Sequence, residues 1–321
     1  MDTTFFSTSY FTLPSAPDRP QLDATRPKGA VGERALVLGG GGSAGNAWLV
    51  GVVAGLFVAG LDVTDADVLI GTSAGATAAA QVSGASPTQL LADILSAASP
   101  QRTAPRGTGS GRAPAGSSSG YLRRTSGIIA AAADPADMRR RMGAAALELE
   151  EASGQARWRD TVAARLPVRH WPKRTILMTA VDARTGEPVV FDRHSGVDLV
   201  DAVAASCAAA TAYGIGEDRF IDGGYRRSSE NADLAAGCGR VLVLSPLGGR
   251  TRHPLEWGME LAVQVDELRA GGSRVETILP DDDSLEAFGN NMMDLSVRPP
   301  AARAGYEQGR ALAGQLTEFW R

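Results

Sequence analysis

Ser73 is the first residue whose surroundings could do chemistry. It lies in Gly71-Thr-Ser73-Ala-Gly75, directly after the apolar run Val68-Leu-Ile70 and directly before the alanine-rich stretch 76–80. That layout predicts a strand, a sharp turn and a helix, with the serine at the apex, as a nucleophile elbow requires. Helix N–H groups starting just after the serine would point at its hydroxyl and could stabilise an oxyanion. The plainer reading is a small residue filling a tight strand–helix turn. A second match, Gly116-Ser-Ser118-Ser-Gly120, sits in a Pro/Gly/Ser-rich run with no strand before it and no helical pattern after it, and is read as loop.

Gly39 to Gly42, followed by Ser43-Ala44-Gly45, is the second candidate. It follows the buried strand Arg34–Leu38 and precedes a helix over 46–60 in which Trp48, Leu49, Val52, Val53, Leu56 and Phe57 recur at helical spacing. Gly40-x-Gly42-x-x-Gly45 fits a dinucleotide fingerprint, and Asp62 lies 22 residues beyond Gly40, near where a ribose-binding acid would stand. The same bare backbone could instead aim its N–H groups at one point as an oxyanion hole. The glycines alone leave both open. Asp222, at a strand end before Gly223-Gly224, is a third candidate, as a base or simply as an Asx-turn former.

The elements that must position these groups follow from periodicity. A short helix is predicted over 87–98. A long excursion rich in Gly, Ser, Pro and Arg covers about 100–120 and is expected to be mobile, because it lacks apolar residues to offset ordering entropy. Asp134 is placed as N-cap, with Pro135 at the first helical position, for a helix through Glu151; 157–166 continues helical. Strands are predicted at 175–181, 188–191, around 220–221, 240–245 and 274–279, and helices at 197–210, 255–270 and 301–320. Strands alternating with helices predict an α/β fold of three layers, α/β/α, with a mostly parallel central sheet. Residues 1–30 read as an irregular N-terminal arm, and 31–321 as one catalytic domain.

Composition narrows the function. The chain has 321 residues, 44% hydrophobic and 21% charged, as expected of a globular protein. A net charge of −4 gives no electrostatic case for nucleic acid. The two cysteines, Cys207 and Cys238, have no metal-ligand spacing and read as buried small apolar residues; no metal and no cofactor is expected. No uninterrupted apolar run long enough for a membrane span and no secretory leader is visible, so a cytoplasmic location is the default expectation. His170, His194 and His253 read as loop or surface residues rather than as a late triad histidine.

Taken in order, Gly40-Gly-Gly42-Ser-Ala-Gly45, Gly71-Thr-Ser73-Ala-Gly75 and Asp222-Gly-Gly224 resemble the patatin-like phospholipase family over roughly residues 34–250. The resemblance implies a three-layer α/β/α fold and a Ser–Asp dyad without histidine. Ser73 would be the nucleophile, Asp222 its partner, and the N–H groups of Gly40, Gly41 and Gly42 the oxyanion hole. It implies a serine esterase or lipase acting on acyl-ester or lipid-like substrates through an acyl-serine intermediate, with transient contact to a membrane surface. Within the family an acyltransferase or thioesterase is the alternative; a nucleotide-binding protein using Gly40–Gly45, or an inactive scaffold, would fall outside catalysis by Ser73. Two positions depart from the family pattern. Ala44 stands where Arg or Lys is usual, leaving the oxyanion loop without that cation. Ala210 and Gly214 stand in a stretch that often carries prolines.

Overall fold

The structure is a computed structural model that describes residues 32–97, 118–149 and 152–321. The expectations placed on the arm 1–30 and on most of the 100–120 excursion lie outside these residues. The elements run β1 (Arg34–Leu38), α1 (Gly42–Val58), β2 (Val68–Gly71), α2 (Ala74–Gly84), α3 (Pro87–Ser96), α4 (Ser118–Ala131), α5 (Pro135–Leu147), α6 (Ala152–Ala163), β3 (Thr175–Asp182) and β4 (Pro188–Phe191). Then follow α7 (Leu199–Ser206), β5 (Tyr213–Ile215), β6 (Asp218–Asp222), β7 (Arg240–Leu244), α8 (Leu261–Ala270), β8 (Arg274–Ile278), α9 (Asp282–Phe288) and α10 (Arg298–Trp320).

The sheet order is β5-β6-β3-β2-β1-β7-β8, with β4 also on β3. The five strands from β3 to β8 are parallel, and β4, β5 and β6 add antiparallel pairs at one side. β1, β2 and β7 are buried along nearly their whole length, which is why they read as unbroken apolar runs rather than as alternating ones. Their side chains alternate between two cores. Leu36, Leu38, Leu69, Leu242 and Leu244 meet α1, α2, α7 and α10. Val37, Ile70, Val241 and Val243 meet Leu234 and the Leu261, Val265 and Leu268 stripe of α8. The expected mixed α/β sandwich with helices on both faces is the observed architecture.

β3 carries two strands on one edge. Met178 has Gly71 on one side and Phe191 on the other, and Ala180 has Asp222 and Val189. β4 therefore occupies one edge, while β2 and the oppositely directed β6 share the other, meeting end to end. This bifurcation brings the C-terminal end of β2, and so Ser73, up to the C-terminal end of β6, and so Asp222.

Several boundaries differ from the sequence expectation. Ser118 does not lie in a loop; it opens α4. The stretch that follows it forms a helix because Ile129 packs with Met138, Met142 and Ile221, and the Tyr121 hydroxyl bonds that of Tyr225 at 2.6 Å. α7 stops at Ser206, because the next residues leave the helix to contact the elbow. The expected 255–270 helix begins only at Leu261, after Gly258 turns the chain with φ 57°. α9 has no counterpart in the sequence reading; Asp281 caps it by accepting the Ser284 N–H at 2.9 Å.

Candidate active site

Ser73 has φ 54° and ψ −116°, a left-handed backbone that a non-glycine residue adopts only under constraint. The constraint is visible. Its N–H donates to Ser206 Oγ at 2.9 Å, and its carbonyl accepts from Cys207 Sγ at 3.0 Å and from the Thr77 N–H at 3.2 Å. The turn closes through Gly75 N–H to the Thr72 carbonyl at 2.8 Å. The flanking glycines are dictated by close approach: a Cβ on Gly75 would lie 1.8 Å from the Leu38 carbonyl oxygen, and one on Gly71 would lie 2.6 Å from Ala76 Cα.

Asp222 is 8% exposed at the end of β6. Its N–H donates to the Ala208 carbonyl at 2.9 Å, and its Oδ1 accepts the Gly224 N–H at 2.8 Å. Burial raises its pKa to about 6, with the hydrogen bonds from Gly224 and the Ser73 side chain pulling the other way. Ser73 and Asp222 are thus brought together, close enough for the hydroxyl to lower the carboxylate's pKa against the effect of burial.

The Gly39–Gly42 backbone is held beside them. A Cβ on Gly40 would lie 3.5 Å from Ser73 Cβ. Gly39 N–H donates to the Leu244 carbonyl at 3.0 Å and Gly40 N–H to the Ser229 carbonyl at 2.8 Å. Gly40 is therefore engaged elsewhere. Gly41 and Gly42, where α1 begins, have no acceptor for their N–H groups among the described residues. The Ala74 N–H that opens α2 likewise has no acceptor among the described residues. A cation from far along the chain reaches the first turn of α1, beside Ala44. Arg298 Nη1 donates to the Ser43 carbonyl and to Asn46 Oδ1, each at 3.1 Å, at the first turn of α1.

A buried polar bracket ties the two halves of the site. Asn231 Nδ2 donates to Thr72 Oγ1 at 3.0 Å, to Thr179 Oγ1 at 3.3 Å and to the Gly223 carbonyl at 2.9 Å, spanning elbow and acid turn. Glu230, 1% exposed, accepts from Ser228, Ser229 and Ser245 hydroxyls at 2.7, 2.6 and 2.6 Å. It thereby holds the Ser229 carbonyl against Gly40. Sequence reasoning missed Ser206, Cys207, Asn231 and Glu230. The one visible signal was a polar run, Ser228-Ser-Glu-Asn231, set between apolar elements.

Other candidates fall away on geometry. Cys207 packs against the core beside Ser73; the residue is partly exposed but its thiol is turned inward. Burial, with the Asp222 charge nearby, pushes its thiol up to about 12, so it stays a neutral donor and not a rival nucleophile. His170 and His194 are exposed, and His253 stacks near Trp257; none bonds Ser73 or Asp222 among the described residues. Asp62 accepts from Thr64 N–H and Oγ1 at 2.8 and 2.7 Å in the loop after α1. It lies at the opposite end of a helix about 25 Å long from the glycine loop, out of reach of a ribose bound there. Among the described residues no group of three or more His, Cys, Asp or Glu could hold a metal, and no helix is long and apolar enough to cross a membrane.

A mixed α/β sandwich with a serine at a strand–helix elbow, facing a buried strand-end carboxylate, is the class that the fold and the site define. Within it, the chain belongs to the patatin-like phospholipase family, whose model matches residues 36–236. No curated protein sequence matches the chain. Among solved structures it is similar to VipD from Legionella pneumophila, at 14% identity and TM-score 0.41, covering 88% of this chain and 67% of that one. It is also similar to the type III effector protein ExoU, at 16% identity and TM-score 0.30, covering 87% of this chain and 54% of that one.

Proposed function

We propose that this chain is a serine hydrolase of lipid-like acyl esters working through a Ser73–Asp222 dyad. The observation that carries the reading is the strained Ser73 elbow set against a buried carboxylate of raised pKa. Asp222, ionised above about pH 6, takes the Ser73 proton as Oγ attacks the ester carbonyl. The tetrahedral oxyanion is held by the N–H groups of Gly41 and Gly42, with Ala74 alongside, and Gly40 orients the loop through Ser229. Collapse expels the alcohol, which takes up the proton held by Asp222. Water, deprotonated by the same carboxylate, attacks the acyl carbon; as the bond to Ser73 Oγ breaks, Asp222 returns that proton to Oγ and the free acid leaves.

A fluorophosphonate probe tests this reading directly. Wild type is expected to be labelled at Ser73, Ser73→Ala not at all, and Asp222→Asn at least on the order of a hundredfold more slowly. Near wild-type labelling of Asp222→Asn would remove Asp222 from the mechanism. Release of free acid from an ester, rather than transfer to an added alcohol or thiol, separates hydrolase from acyltransferase. The rate of acylation should fall as pH drops through about 6, where Asp222 gains its proton.

A further inference from the structure

Away from the dyad, a cavity of about 240 Å³ opens between α5, the chain following β6 and the segment leading into α8. Its walls carry Arg139, Arg226 and Arg227 against a single carboxylate, Asp233, with Pro188 and Met259 as apolar sides. A guanidinium held in such a partly buried recess normally finds its own anion.

The pairing is uneven. Arg226 is bidentate on Asp233 at 2.9 and 2.8 Å, and Arg227 is bidentate on Glu267 at 2.7 and 2.8 Å. Arg139 has no carboxylate within ion-pair distance among the described residues. It donates Nε to the Gly186 carbonyl at 2.7 Å and Nη1 to the Arg226 carbonyl at 3.4 Å. Burial lowers its pKa; the Glu187 charge opposes that most, the Arg226 charge adds to it, and Asp134 opposes it more weakly. The site is also short of acceptors: Arg226, whose side chain is 10% exposed, has its Nε buried with none. The cavity thus holds one cation in excess and too few oxygens for its donors.

We propose that this cavity binds a small phosphate-type anion, with Arg139 as its principal cation and Arg226 and Arg227 as flanking charges. Arg139 Nη2 has no acceptor among the described residues and is the donor open to a phosphate oxygen, with a charge-assisted bond as its contribution. The volume is enough for a phosphate or the head of a phosphomonoester. The site is joined to the dyad by a short chain of bonds. Arg226 Nη1 donates to Asn231 Oδ1 at 3.2 Å, and Asn231 in turn holds Thr72 and Gly223, the neighbours of Ser73 and Asp222. An occupant that draws on Arg226 therefore acts on the bracket that sets the elbow against the acid.

The test is calorimetric titration of the full chain at constant ionic strength, with inorganic phosphate and, separately, glycerol 1-phosphate, and chloride as control. It is run on Ser73→Ala as well as on wild type, so that failure of the hydrolase reading leaves it intact. Saturable binding near one equivalent, complete by about 10 mM, is expected in both. Arg139→Gln, checked for native near-ultraviolet dichroism, should weaken it at least about tenfold, the loss of one charge-assisted contact. Should Arg139→Gln fail to fold, Arg227→Gln, on the outer wall, carries the same comparison. Binding of phosphate alone identifies a free-ion site, and binding of both identifies a headgroup-type phosphomonoester. No saturable binding of either probe, or folded variants that bind as wild type does, overturns the proposal.

Discussion

At the scale of single residues, burial sets the chemistry. Asp222 is held in its site at a cost, because a carboxylate there prefers its proton up to about pH 6 against an ordinary value of 3.8. The native state therefore binds that proton more tightly than the unfolded chain does. The resulting stabilisation is complete below pH 3.8 and is lost as pH rises through 6. Asp222→Asn is accordingly expected to melt at a higher temperature than wild type at pH 7–8 while losing activity, with the gap closing toward pH 4. Calorimetric scans across that range check it, and a gap independent of pH would show that the carboxylate is not the source. Cys207 obeys the same physics with another outcome. With its thiol pushed up to about 12 it should resist iodoacetamide at pH 8 in the native protein, and Cys207→Ala should keep fluorophosphonate labelling. Rapid native alkylation at that residue would contradict the buried, neutral thiol.

At the scale of elements, the glycine loop is only as fixed as α1, and α1 is fixed by α10. The two helices touch backbone to backbone. A Cβ on Gly51 would lie 2.2 Å from the Ala302 carbonyl oxygen, and one on Gly309 would lie 2.3 Å from that of Val52. Trp48 on α1 is sealed from the far side, its Nε1 donating to Ser284 of α9 and Gln308 of α10, each at 3.0 Å. Because the obstacle is main chain, Gly309→Val cannot be absorbed by a rotamer change. It should cost about 1–3 kcal/mol or more, read as a lower urea midpoint. An unchanged midpoint would mean that the helices separate freely.

At the scale of the whole molecule, the family match ends at residue 236, yet the fold does not. β7 pairs with β1 along its full length, from Arg34 with Arg240 to Leu38 with Leu244, and the Leu244 and Ile278 carbonyls continue into the Gly39 and Ser245 contacts. A chain cut at residue 239 would leave β1, in the middle of the sheet, as an open apolar edge. Cutting before Arg298 would uncover Trp48 and the glycine face of α1. Both shortened chains are expected to lose cooperative unfolding and Ser73 labelling. A chain ending at 297 that melts cooperatively and still labels would show that α10 is dispensable.

Much of this architecture was legible in the sequence because its causes are local. Gly71-x-Ser73-x-Gly75 after a buried strand, Asp134-Pro135 before α5 and the apolar runs of β1, β3 and β7 each declare an element within a few residues. Asp222 was legible only as a motif beside two glycines. Its meeting with Ser73 depends on β6 lying head to head with β2 along one edge of β3, a register set by pairing across the sheet. The engagement of Gly40 by Ser229, the Ser206 and Cys207 contacts to the elbow, and the Asn231 bracket were decided by the tertiary structure alone. Each ties the elbow or its glycine loop to residues more than 100 positions away, where neither periodicity nor spacing carries a signal. So too was the guanidinium at the first turn of α1: Arg298 reaches Asn46 across 252 residues because the packing of α10 on α1 brings it to the helix start.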